Sequence, residues 1–290
     1  MSSMSEKVTN PAGPIQHSRI PPRPTEPIAG GLPLAYRDED FLDSDEGRPI
    51  RILSEYLAPL RSFTQAGVQD TVVLFGSARI SPTGALGRYY EAARALAAGV
   101  TRWSQQISGD RSRLVICSGG GGGIMEAANR GAREAGGRTI GLNIGLPHEQ
   151  RPNAFIDPEL SFEFHYFFMR KLWFAYLARA LVIFPGGFGT LDEMFEILTL
   201  KQTRKLERDI CILLYGSEYW REVINFDALA RHGVIAPSDL DLFHTVDTPE
   251  DALRCLQQNI HVHATTQCPA LAKSTTFTCP PDCGGESDAG

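Results

Sequence analysis

Apolar residues along this chain fall into two alternating patterns. Short continuous runs at Thr71–Phe75, Leu114–Cys117, Arg138–Asn143, Ala180–Phe184, Ile210–Tyr215 and Leu242–Val246 read as strands. Between them, apolar positions recur at three- and four-residue spacing and predict helices at about Gly87–Gln106, Gly123–Ala135, Met169–Arg179, Thr190–Lys205, Ser217–Ala230 and Pro249–Gln258. A further amphipathic helix precedes the first strand, with Ile50, Ile52, Leu53, Tyr56, Leu57, Leu60 and Phe63 at helical spacing. Strands that are apolar throughout and separated by helices predict a parallel sheet covered on both faces, the doubly wound α/β class.

The pattern fades at both ends. Residues 1–46 hold a Pro-rich stretch from Pro21 to Pro33 and an acidic run from Arg37 to Glu46, so an extended or disordered arm is expected. Beyond Ile260 the chain turns to Thr, Pro, Cys, Gly and Ser, and 261–290 is expected to be a disordered tail, leaving 47–260 as a single domain. With 42% hydrophobic residues the chain can bury a sizeable core. Its 28 basic and 34 acidic residues give a net charge of −6, which argues against a nucleic-acid partner unless a local basic patch forms. The polar start MSSMSEKVTN, and the lack of an apolar run long enough to span a bilayer, predict a cytoplasmic protein with no membrane partner. Cys117, Cys211 and Cys255 lie in apolar stretches and read as core. Cys268, Cys279 and Cys283, with His261 and His263, match no paired-cysteine zinc spacing, so neither a metal nor a cofactor is expected.

In doubly wound sheets ligands bind beyond the carboxyl ends of the strands, so the loops there hold the candidate chemistry. The first strand ends in Phe75-Gly76-Ser77-Ala78-Arg79, where Gly76 permits close backbone approach and the Ser77 hydroxyl can face a phosphate or ribose; an ordinary tight turn explains the segment equally well. The second ends in Ser118 and five glycines. Gly119, Gly120 and Gly121 suit a backbone that bends tightly against a ligand, and the helix that follows offers its N–H groups to an anion. The spacing departs from the GxGxxG dinucleotide fingerprint, and no ribose-binding acid follows at a clear strand end, which disfavours NAD.

The most informative segment is Pro185-Gly186-Gly187-Phe188-Gly189-Thr190-Leu191-Asp192-Glu193. Gly186, Gly187 and Gly189 can present backbone donors to a phosphate, Thr190 adds a hydroxyl, and Glu193 follows about one turn into the helix. A capping box between Thr190 and Glu193 is the alternative. Earlier in the chain, Phe167-Phe168-Met169-Arg170-Lys171 sets two cations in an aromatic stretch. A buried Arg170 needs a partner, for which Glu193 is the candidate, while Lys171 reads equally as an exposed helix-face residue.

PGGFGTLDE resembles the PGGxGTxxE signature of the Lonely Guy (LOG) family, formerly labelled possible lysine decarboxylases. SGGGGGIM is similar to that family's GGGxxGxM-type loop and FFMRK to its Arg-Lys segment, and order and spacing agree from about Val72 to Ile260. The resemblance implies a Rossmann-like α/β fold and a homodimer or higher homo-oligomer. It also implies hydrolysis of purine nucleoside 5′-monophosphates, AMP or cytokinin ribosides, to free base and ribose 5-phosphate. Carried over residue by residue, Arg170 and Glu193 match the catalytic pair, and Gly186, Gly187, Gly189 and Thr190 the phosphate loop. Lys171 and Thr199 match substrate-contacting positions, and Glu149 in LPHEQ is the best candidate for a further ligand-contacting glutamate. Phe168 stands where the short plant-type pattern has histidine, and the N-terminal arm is extra; both features are closer to the longer bacterial members and count against strict cytokinin specificity. Part of the aromatic cluster Phe162–Phe174 is expected at a dimer interface.

N-glycosidic cleavage passes through an oxocarbenium-like state, so the expected role of Glu193 is an anionic carboxylate that stabilises it and holds the attacking water. Arg170 is expected to keep that carboxylate ionised through a charge-assisted hydrogen bond. No acid for the leaving base is identified. Three other readings stand beside this one. The first is a non-catalytic carrier of a nucleotide or molybdenum cofactor. The second is a pyridoxal-phosphate decarboxylase, which would need Lys171 as its Schiff base. The third is an interaction module built on the terminal arms, which leaves the phosphate-type loops unexplained.

Overall fold

A computed structural model describes residues 34–108, 113–145, 151–206 and 208–260. Residues up to Arg48 and those from Pro49 onward form two separate units. In the first, helix α1 (Glu39–Asp43) is capped by Asp38, whose side chain accepts from the Phe41 amide at 3.1 Å. The second contains, after helix α2 (Arg48–Gln65), the elements β1 (Thr71–Phe75), α3 (Gly87–Ser108), β2 (Val115–Ser118), α4 (Ile124–Glu134), β3 (Thr139–Ile144) and β4 (Ser161–Phe164). It continues with α5 (Phe167–Tyr176), β5 (Ala178–Ile183), α6 (Phe188–Gln202), β6 (Cys211–Tyr215), α7 (Ser217–Val223), α8 (Phe226–Arg231), β7 (His244–Val246) and α9 (Pro249–Asn259).

The strands form one sheet in the order β4-β3-β2-β1-β5-β6-β7, parallel throughout. Strand alternation divides the core in two. Val73 and Phe75 of β1, with Leu181 and Ile183 of β5, face Phe63 of α2, Trp173 and Phe174 of α5, and Met194 and Ile197 of α6. Val72, Leu74, Ala180 and Val182 face Tyr90 and Leu96 of α3, Ile124 and Ala128 of α4, and Leu256 of α9. This is the doubly wound α/β sheet that the apolar runs predict.

Three local differences have physical causes. Strand β4 is absent from the sequence reading because it is short and half-exposed; Phe164 is buried, while Ser161, Phe162 and Glu163 are not. The single helix expected over Ser217–Ala230 is two, since Asn225 breaks it and caps α8 by accepting from the Ala228 amide at 2.9 Å. The aromatic cluster Phe162–Phe174 splits in direction: Phe164, Trp173 and Phe174 enter the core, whereas Phe167 and Phe168 are about half exposed. The expected terminal arm up to residue 33 and the tail from residue 261 lie outside the described residues.

The order of the strands places the candidate site. From β1 the chain winds outward through β2 and β3 to β4, then returns across the sheet to lay β5 against the other side of β1. Beyond the carboxyl ends of β1 and β5 the flanking loops diverge and leave a crevice.

Candidate active site

The loops leaving β1, β2 and β5 interlock at that crevice. The Ser77 amide donates to the Pro185 carbonyl at 3.0 Å, and the Ser77 carbonyl accepts from the Ile124 amide at 3.2 Å. Such close passage demands glycine at two points. A Cβ on Gly186 would overlap Thr190 Oγ1 and lie 3.0 Å from the Ser77 nitrogen. Gly123 caps α4 at a φ of +63°, with its missing Cβ directed into the Ser77 carbonyl.

The crevice is a cavity of 640 Å³ lined from one side by Gly76, Ser77 and Arg79 and from the other by Gly186, Gly187, Gly189, Thr190 and Glu193. Met125, Phe167, Arg170, Asp192 and Tyr219 are also in its walls. Helix α6 opens onto it. Gly187 caps the helix without a side-chain bond, and the first helical bond in this turn runs from the Leu191 amide to the Gly187 carbonyl at 3.0 Å. The amides of Phe188, Gly189 and Thr190 precede that bond and have no partner within the helix. The alternative capping box does not form, because Thr190 is already the third residue of the helix.

Glu193 is 6% exposed and makes no hydrogen bond or ion pair with any described residue. Burial pushes its carboxyl up to about 7, with the charge of Arg170 and then that of Lys171 pulling the other way. Arg170 does not pair with it directly. Its Nε donates to the Leu142 carbonyl at 2.9 Å, and its guanidinium carbon lies 5.1 Å from the centre of the Phe174 ring. Gly119 closes in from the glycine loop, where a Cβ would come within 2.7 Å of Arg170 Nη2. Burial lowers the Arg170 pKa, opposed by the charge of Glu193. The expected charge-assisted bond that would keep Glu193 ionised is therefore replaced by an arginine committed to the β3 backbone and a carboxyl poised between its two states.

Several sequence candidates lie elsewhere. Lys171 turns away from the cavity to pair with Asp192 at 2.9 Å and Glu196 at 2.6 Å, so it ties α5 to α6. Those two carboxylates also occupy the amine that a Schiff base would need. Thr199 is exposed on α6 and donates to the Phe195 carbonyl at 2.7 Å. Gly120 and Gly121 are buried behind the wall, their carbonyls accepting from Asn153 Nδ2 at 3.1 and 3.0 Å. Of that loop it is Gly119 that reaches the site, through Arg170. Glu149 lies outside the described residues.

Arg79 and Tyr219 line the cavity without having been assigned a role from the sequence. Arg79 stands at the end of the first strand-loop string, where its charge is a usable signal. Tyr219 is far away in the sequence and reaches the site because its hydroxyl donates to the Gly186 carbonyl at 2.9 Å. Among the described residues no group of His, Cys, Asp or Glu could hold a metal ion, and no helix is long and apolar enough to cross a membrane.

Fold and cleft together define a Rossmann-like, doubly wound α/β protein with a glycine-walled crevice at its switch point. The family model described as "Possible lysine decarboxylase" matches residues 125–256, which include both the Arg170 segment and the PGGFGTLDE loop, and over these residues the chain is similar to that family. A cytokinin riboside 5′-monophosphate phosphoribohydrolase of Rhodococcoides fascians is 29% identical over 133 residues, covering 44% of this chain and 65% of that protein. One from Arabidopsis thaliana is 23% identical over 152 residues, covering 51% and 69%. The chain thus spans just under two thirds of the bacterial relative's length. Among solved structures, the molybdenum cofactor carrier protein of Chlamydomonas reinhardtii is 20% identical with a TM-score of 0.44, over 66% of this chain and 97% of that one.

Proposed function

We propose that this protein hydrolyses the N-glycosidic bond of purine nucleoside 5′-monophosphates, releasing the base and ribose 5-phosphate. The observation that carries the reading is the placement of Glu193, a buried carboxyl with no hydrogen-bond or ion-pair partner among the described residues, in the same cavity as the open amino terminus of α6. The free amides of Phe188, Gly189 and Thr190 and the positive end of the helix dipole suit a dianionic phosphate. A phosphate held there places the sugar towards Glu193 and Arg170. In its ionised form Glu193 stabilises positive charge on the ribose and accepts a proton from the attacking water. Arg170, fixed by Leu142 and Phe174, offers its remaining N–H groups to substrate oxygens. AMP and cytokinin riboside monophosphates are the substrates that the family resemblance favours.

The phosphate supplies binding energy that positions the bond to be broken, so adenosine is expected to be a far poorer substrate than AMP in kcat/KM. Chromatographic assay of base release from AMP, GMP, CMP and isopentenyladenosine monophosphate, with adenosine as control, tests this. Release from a monophosphate but not from adenosine is the expected result. Bound nucleotide without release from any of them would instead make the protein a carrier.

A further inference from the structure

We infer that the cleft has a second anion compartment, which takes the terminal phosphate of a nucleoside 5′-diphosphate. The inference rests on the reading that the amino terminus of α6 holds the 5′-phosphate. A second cavity of 290 Å³ adjoins the first, and the two share a wall made of Ser77, Arg79, Gly186, Gly187 and Tyr219. Glu193, Arg170, Met125 and Phe167 line the first cavity alone, whereas Ser81, Gly84 and Leu86, from the segment between β1 and α3, line the second alone. Gly187, which caps α6, belongs to the shared wall, while Phe188, Gly189 and Thr190 line the first cavity alone, so a phosphate on the start of α6 lies in the first cavity at its border with the second. In a nucleotide, the neighbour of the 5′-phosphate on the side away from the ribose is the next phosphate.

The charge at the divide agrees. Arg79 is exposed, and among the described residues its guanidinium has neither a hydrogen bond nor an ion pair, whereas carboxylates engage Arg94, Arg113, Arg133 and Arg208. A planar fork of N–H donors on the border of two cavities can contact both phosphates of a diphosphate, which a single monophosphate would use only in part. The second compartment also excludes nothing by charge, since no acidic residue lines it.

The test is calorimetric titration of the full chain carrying Glu193→Gln, which leaves ligands unconsumed, with AMP and ADP at fixed ionic strength and without divalent cations. ADP is expected to bind roughly tenfold more tightly than AMP, the scale of one charge-assisted contact. Adding Arg79→Ala, or Ala85→Trp to fill the exposed far wall, should bring the ratio of the two affinities close to one; both positions are exposed, so the fold is not at issue. AMP binding with no preference for ADP, or a preference that survives both substitutions, overturns the second compartment alone. Failure of both nucleotides to bind overturns it together with the functional reading on which it rests.

Discussion

A carboxyl group shielded from water and given no hydrogen-bond donor holds its proton more tightly than one in solution, and for that reason burial pushes Glu193 up to about 7 from an ordinary 4.5. Between those values the folded state holds a proton that the unfolded chain has released, so stability falls as pH rises from about 4.5 through 7 and then levels off. Glu193→Gln should therefore stabilise the protein at about pH 8 by on the order of 3 kcal/mol, and leave it unchanged near pH 4. Denaturant melts of both forms across that range check this; equal stabilities at the upper end would contradict it. The same titration should appear in catalysis, with kcat/KM rising with pH through about 7 because the ionised form is the active one. The loop glycines separate packing from ligand clearance. Gly186→Ala overlaps Thr190 and should destabilise the fold, whereas at Gly187 a Cβ meets nothing within 4 Å. Gly187→Ala should thus melt like the parent but raise the KM for a monophosphate about tenfold or more if a phosphate approaches that backbone. The residue types at this site are legible in the sequence because glycine, arginine and glutamate there have few structural uses. The ionisation of Glu193 is not, since it depends on what surrounds the carboxyl, and the expected partner, Arg170, is claimed by Leu142.

Helix α5 carries Arg170, and its position depends on a helix far earlier in the chain. Pro59 lies inside α2 and has no N–H, so the carbonyl four residues back, that of Glu55, has no helical donor. Trp173 Nε1 donates to that carbonyl at 3.0 Å. The Glu55 carboxylate meanwhile accepts from the His165 and Tyr166 amides at 2.7 and 3.3 Å, covering the start of α5. One residue of α2 thus holds α5 at both ends. Glu55→Ala should lower stability by about 1–2 kcal/mol and reduce kcat several-fold, with Glu55→Gln restoring part of each; thermal melts and steady-state kinetics read both effects. Unchanged kcat in the alanine variant would show that Arg170 is positioned without α2. The amphipathic spacing of α2 is plain in the sequence, but its docking partner is not, because periodicity identifies a buried face and says nothing of what covers it. Strand β4 was hidden for a related reason: a four-residue edge strand with one fully buried position gives too weak a pattern to separate from a loop.

Across the whole sheet the two edges divide the work. At the amino edge, next to β1, Asp70 is 4% exposed and gathers Arg113 at 2.6 Å and Arg208 at 3.1 Å, from the segments before β2 and β6, and Arg179 at 3.3 Å, from the start of β5. Removing that carboxylate leaves the buried Arg113 and the partly buried Arg179 and Arg208 facing one another, so Asp70→Ala should destabilise the protein by about 3 kcal/mol. The carboxyl edge, with its glycine loops and cavity, lies at the other end of the same strands, so protein that remains folded should keep its KM for AMP. A large KM change in the folded fraction would contradict this division. The class of fold follows from the apolar runs alone, and the switch point follows from the class once β1 and β5 are known to be neighbours. That adjacency is a long-range fact, and no local pattern records it. The proposed action of Glu193 on a phosphate-anchored nucleotide is tested most directly by base release from AMP and adenosine by the parent and by Glu193→Gln. The parent should release adenine from AMP far faster than from adenosine, and the variant should lose that activity by roughly a hundredfold or more while still binding AMP. Equal release by parent and variant, or no preference for the monophosphate, would contradict that role for Glu193.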